Sequence, residues 1–197
     1  MPYRAGVFIP QPDGQSPKPE QEGLFAADAL VAHDPEVGYR GQVACNAAGI
    51  SYRQLDYWAR TGLVAPTIRP AAGSGSQRLY GFRDIITLKV VKRLLDTGVS
   101  LHNIRVAVNH LRERGDADLA NITLISDGAS VYECTSDDEV IDLVRNGQGV
   151  FGIAVGKVWA EVQGTLAVFP AEKSDGSLVA PSGVQDELAE KRRSRQV

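Results

Sequence analysis

Ile50-Ser51-Tyr52-Arg53-Gln54-Leu55-Asp56-Tyr57-Trp58, followed at residues 62–80 by GLVAPTIRPAAGSGSQRLY, is the stretch on which the fold turns. Ser51 stands just before a run with helical spacing, where its hydroxyl can accept an orphan amide hydrogen of the first turn. The spacing predicts a helix over about 52–60, ended by Gly62. Leu55 and Trp58 lie three apart, share a face and pack inward, while Tyr52, Arg53, Asp56 and Arg60 fall toward other faces. Upstream, residues 41–48 read as a shorter helix with Val43, Ala44 and Ala47 inward, stopped by Gly49. Two short helices joined by a tight glycine-containing turn match the helix-turn-helix outline.

Downstream, Thr67 to Arg69 and Gln77 to Tyr80 can form two short strands around a loop at 70–76, which together make a wing. A third helix starts near Phe82 or Arg83 and runs to about Leu95, with Ile85, Leu88, Val91 and Leu95 at helical spacing. Gly98 ends it. Ser100 caps a fourth helix that turns Leu101, Ile104, Val108 and Leu111 inward, and the charged stretch Arg112 to Asp118 reads as a hinge.

Charge is distributed to match. The 197 residues carry a formal net charge of -3, but residues 40–114 hold twelve basic and four acidic side chains. Residues 1–39 hold two basic and six acidic, and residues 115–197 hold seven basic and fourteen acidic. Phosphate attraction acts within a Debye length of about 8–10 Å, so the local excess matters more than the total.

The major groove is about 12 Å wide and admits one helix. The helix at 52–60 is the candidate reader. Arg53 sits near its N-terminal end, where an arginine can make two hydrogen bonds to guanine, with Tyr52 and Gln54 beside it. Tyr57 and Arg60 are placed to hold phosphates. Arg69 and Arg78 flank the wing loop and can bracket the backbone next to the reading helix. Tyr80 can either pack on Trp58 or give its hydroxyl to a phosphate. Lys89, Lys92, Arg93 and Arg105 extend the positive surface.

Other parts of the chain read as follows. Residues 1–38 are a proline-rich, polar, flexible leader, and 39–114 are the winged helix-turn-helix domain. Residues 119–170 form a small α/β unit, with strands at 122–125 and 129–132 and a helix capped by Thr135 or Ser136 over Asp137, Asp138 and Glu139. Its apolar stripe is Val140, Ile141, Leu143 and Val144, and strand-like segments follow at 150–155 and 158–169. Residues 171–197 are a flexible polar tail with a short helix at 184–193 and a basic end. The fold class is therefore α+β, a winged helix-turn-helix domain followed by a small mixed α/β domain.

Several function classes fall away. No apolar run is long enough to cross a membrane, and no basic region precedes an apolar one as in a signal peptide. Two distant cysteines, Cys45 and Cys134, make no metal or disulfide motif and fit a reducing cytoplasm. His33, His102 and His110 are scattered, so a bound metal is not expected. No nucleophile, base and orienter occur as a set, and the Gly147, Gly149 and Gly152 spacing is not that of a nucleotide loop. Neither catalysis nor a cofactor is expected.

Residues 41–111 resemble the DNA-binding domain of MerR-type transcriptional regulators. The matching positions are Ser51, Arg53, Leu55, Tyr57, Trp58, Gly62, Leu63, Pro66, Arg69, Arg78, Tyr80, Asp84 and Leu88, completed by Gly98, Ser100, Leu101 and Ile104. Asp56 stands where an arginine is common, and Gln77 replaces a tyrosine. No long heptad helix follows residue 111 to act as a dimer seam. The resemblance implies double-stranded promoter DNA as partner, bound as a homodimer on an inverted repeat, with RNA polymerase as a further contact. The unit at 119–170 would then supply the dimer contact through its apolar strands and Trp159. Two other readings are a small-molecule-responsive regulator with a pocket in that unit, and a DNA-architectural accessory protein.

Overall fold

The computed structural model describes residues 33–71, 77–145 and 151–181. The expected leader as far as residue 32, the wing tip at 72–76 and the tail from 182 onward lie outside the described residues. The chain divides into two compact units, one holding residues 33–85 and 161–181, the other residues 86–160.

In the first unit, strand β1 (Val37–Arg40) runs into helix α1 (Gly41–Ala48), then α2 (Tyr52–Arg60), β2 (Leu79–Gly81) and the start of α3 (Phe82–Asp96). Gly49 ends α1 at φ 72, a left-handed conformation that glycine adopts without a Cβ penalty. Ser51 and Gln54 form a reciprocal capping box at the start of α2. Leu55 and Trp58 are buried beneath it, as their spacing requires.

The expected strand at Thr67 to Arg69 shrinks to one bridge between Arg69 and Leu79. Asp84, in the first turn of α3, is the reason. Its Oδ2 accepts the Thr67 amide at 2.8 Å, the Thr67 hydroxyl at 2.9 Å and the Gly81 amide at 2.9 Å. A side chain that captures the Thr67 amide leaves one donor fewer for a ladder.

The sequence reading also needs correction at the other end of this unit. Strands β6 (Ala171–Lys173) and β7 (Leu178–Val179) occupy the start of the stretch expected to be a flexible tail. They complete an antiparallel sheet of order β2-β1-β6-β7, with Tyr39 opposite Tyr80 and Gly38 opposite both Gly81 and Glu172. Polar composition suggested a tail because the sheet partner lies more than 130 residues upstream.

In the second unit, α3 continues and is followed by α4 (Leu101–Glu113), α5 (Asp116–Asn121), β3 (Thr123–Ser126), β4 (Val131–Cys134), α6 (Asp137–Arg145) and β5 (Phe151–Ala154). The sheet order is β4-β3-β5, all antiparallel. Asp127 closes the hairpin by accepting the Ala129 and Ser130 amides at 2.9 and 2.6 Å. The expected hinge narrows to Arg114 and Gly115, because α5 begins at Asp116.

The strand expected at 158–169 is helix α7 (Val155–Leu166) instead. Val155, Val158, Trp159, Val162 and Leu166 are all buried, and their three- and four-residue spacing outweighs the β-branched composition. Gly156 permits the close approach of its first turn to α5, since a Cβ there would lie 2.4 Å from the Ala120 carbonyl oxygen.

Candidate nucleic-acid interface

The outer face of α2 carries the exposed side chains. Tyr52 and Tyr57 are 60% and 49% exposed, unusual for large aromatics, and Arg53 beside them is exposed as well. The buried Leu55 and Trp58 fix which face that is, so the helix is anchored on one side and open on the other. Gln54 is engaged differently from the expectation. Its Oε1 accepts the Ser51 amide at 2.9 Å, so its side chain serves the helix cap.

Four other basic residues, Arg40, Arg60, Arg69 and Arg78, are held by carboxylates. Asp56 accepts Arg60 through one oxygen at 2.8 Å and Arg78 through the other at 2.9 Å. The Arg78 hydrogen bond, opposed in part by desolvation, holds the Asp56 carboxyl below the usual carboxylate range. Arg69 donates to Glu172 at 2.5 Å and also reaches the Gln77 carbonyl at 3.1 Å. Arg40 donates to the second Glu172 oxygen at 3.0 Å. The buried Glu172 of β6 thus joins the arginine that precedes α1 to Arg69, which bridges to Leu79 of β2.

Tyr80 requires a correction. It is completely buried, which keeps its hydroxyl from a surface phosphate as it stands, and the same burial pushes its phenol up to about 12. It lines the floor of a cleft of about 420 Å³ together with Arg40, Gly41, Tyr52, Asp56 and Arg78. Arg40 and Glu172 were missed as site residues. Arg40 belongs to the basic segment and was legible as charge, whereas Glu172 lies 103 residues from Arg69 and carries no local signal.

Among the described residues no group of three or more histidine, cysteine or acidic side chains could hold a metal. Cys45 and Cys134 are buried free thiols, and burial pushes both up. No helix of the described residues is long and apolar enough to cross a membrane.

An amphipathic second helix of a helix-turn-helix, followed by a strand β2 that pairs with β1 ahead of the helix pair, is the arrangement of a winged helix-turn-helix domain, a class of DNA-binding fold. Residues 39–111 match the MerR HTH family of regulatory proteins. Over 179 residues the chain is 64% identical to uncharacterized HTH-type transcriptional regulators of Mycobacterium tuberculosis (strain ATCC 25618 / H37Rv) and Mycobacterium bovis, covering 90% of this chain and 77% of each relative. It is also 34% identical over 86 residues to heavy metal-dependent transcription regulator 1 of Rhizobium meliloti (strain 1021), which covers 43% of this chain and 56% of that protein. The chain belongs to the MerR HTH family, and so to the DNA-binding regulators rather than to the enzymes.

Proposed function

We propose that the chain is a cytoplasmic, sequence-specific regulator that binds promoter DNA as a homodimer, with α2 in the major groove and the segment around 72–76 as wing. The observation that carries this reading is the outer face of α2, where Tyr52, Arg53 and Tyr57 stand exposed while Leu55 and Trp58 anchor the helix. Arg53 reads a base edge, and Tyr52 supports it. Tyr57 holds a phosphate, while Arg60, like Arg78, is tied to Asp56 and reaches one only by leaving or sharing that carboxylate. Gln54 contributes through the cap that sets the angle of the helix.

Arg69 and Arg78 reach phosphate only by exchanging or sharing their carboxylate partners. Substituting Arg69 with glutamine is expected to flatten the dependence of binding on salt by about 0.9 in log-log slope, the mark of one lost phosphate contact. An unchanged slope puts Arg69 off the backbone.

Trp159 is buried and cannot form a dimer contact. On α6, by contrast, Ile141 and Val144 are 44% and 56% exposed, and this apolar strip is the face on which a second copy would pack. RNA polymerase is the further partner this reading implies.

Selection of bound duplexes from a random pool by the full chain tests the whole reading. An inverted repeat is expected. On the selected site, Arg53→Ala should cost about 1–3 kcal/mol and relax preference at one position of each half-site. Failure to enrich any sequence would overturn sequence-specific binding, and a single unrepeated half-site would overturn the dimer.

A further inference from the structure

We propose that Asp56 tempers the backbone grip of this interface: its carboxylate withholds the Arg60 and Arg78 guanidinium groups from backbone phosphates and so limits the sequence-independent share of binding. The inference rests on the DNA-binding reading above. It begins from an arrangement that an ordinary helix pair does not produce. Arg60 lies one turn along the same helix, and such a pair alone would contribute little. Arg78 comes from beyond the wing loop, 22 residues later in sequence, and is only 22% exposed in its side chain. One carboxylate therefore ties the reading helix to the residue that enters β2, across the cleft floored by Tyr80.

The charge arithmetic favours a brake over a simple strut. Two guanidinium groups and one carboxylate carry a net of +1 where two unpaired arginines would present +2. The carboxylate is itself an anion on the face that meets an anionic duplex. Phosphate contacts supply most of the affinity for random sequence, while base contacts supply discrimination. Holding two arginines on Asp56 lowers the first contribution and leaves Arg53, whose exposed side chain is not one of the Asp56 partners, to supply the second.

The test measures fluorescence anisotropy of the full chain on the selected site and on a random duplex of equal length, across about 50–200 mM salt. Asp56→Asn keeps the shape and removes the charge. Each arginine released to a phosphate adds about 0.9 to the log-log slope, which multiplies the affinity lost across that salt range by ~3.5-fold. With both released, the factor is ~12-fold. Affinity at the low-salt end should rise by a similar factor on both duplexes, since a phosphate contact carries no sequence information. Asp56→Glu, which retains the charge, should move the slope back toward the wild-type value. The triple variant D56N/R60Q/R78Q should lose the added slope altogether.

An unchanged slope in an Asp56→Asn protein with an unaltered melting profile overturns the proposal. Equal weakening on both duplexes at constant slope overturns it too, since that outcome makes Asp56 a strut alone. A wild-type chain that binds neither duplex removes the DNA-binding reading beneath it, and that failure is visible before any variant is made.

Discussion

Trp58→Ala is expected to remove about 3–5 kcal/mol of stability, the range for truncating a buried tryptophan, and to abolish DNA binding with it. The side chain is only 2% exposed, at the centre of the inward face of α2. The backbone of the same residue organises the exit of the helix, because its carbonyl accepts the Leu63 amide at 2.9 Å and the Val64 amide at 3.3 Å. Leu63 and Val64 are themselves buried, so the cavity opens beside the segment that leads on to Thr67. The neighbouring residue provides the contrast. Tyr57→Ala removes a side chain that is 49% exposed, and its effect on stability should stay within about 0.5 kcal/mol while DNA affinity falls. Urea denaturation of both variants, read beside anisotropy on the selected duplex, separates the two roles. A Trp58→Ala protein with the wild-type denaturation midpoint would mean that α2 is not anchored through this face.

The readable part of the chain is the part whose signals are local. Helices α1 to α4 follow from caps and periodicity within a few residues: Gly49, Ser51 and Ser100 mark their ends, and Leu55 with Trp58 or Ile104 with Val108 mark their inner faces. Single side chains are less legible than the helices that carry them. Gln54 stands three residues after Ser51, the spacing of a capping box, and its side chain serves that cap. Tyr80 could be read either as packing inward or as a phosphate donor, because nothing local to it reveals the pairing of β2 with β1 that accompanies its burial. Helix α7 was read as strand from its valines, although the buried positions Val155, Val158, Trp159, Val162 and Leu166 already held the helical period. What no local pattern could supply is the pairing of β1 with β6, or of Arg40 and Arg69 with Glu172, since both depend on chain segments separated by more than 100 residues.

That last pairing carries the second large effect. Glu172→Ala is expected to cost about 2–3 kcal/mol, because it deletes two charge-assisted hydrogen bonds whose acceptor side chain is only 8% exposed. Arg69, at 31% exposure, loses more than Arg40, at 55%, which water can resolvate. The effect has a definite dependence on pH. The Arg69 hydrogen bond holds the Glu172 carboxyl below its ordinary 4.5, against the cost of desolvation and with a smaller contribution from Arg40. A depressed folded-state value stabilises the fold fully above the ordinary value and progressively less as pH falls through the folded one. The stability gap between wild type and Glu172→Gln, which keeps the shape without the charge, should therefore be widest near neutrality and close below pH 4.5. Urea midpoints of the two proteins between neutral and acid pH measure it. A gap of constant size down to the acid limit would show that the carboxylate charge contributes nothing, and that β6 is held by its backbone pairing to β1 alone. If the gap closes as expected, β6 holds Arg40 and Arg69 in place through charge, and the Arg69 guanidinium is already satisfied by a carboxylate within the fold.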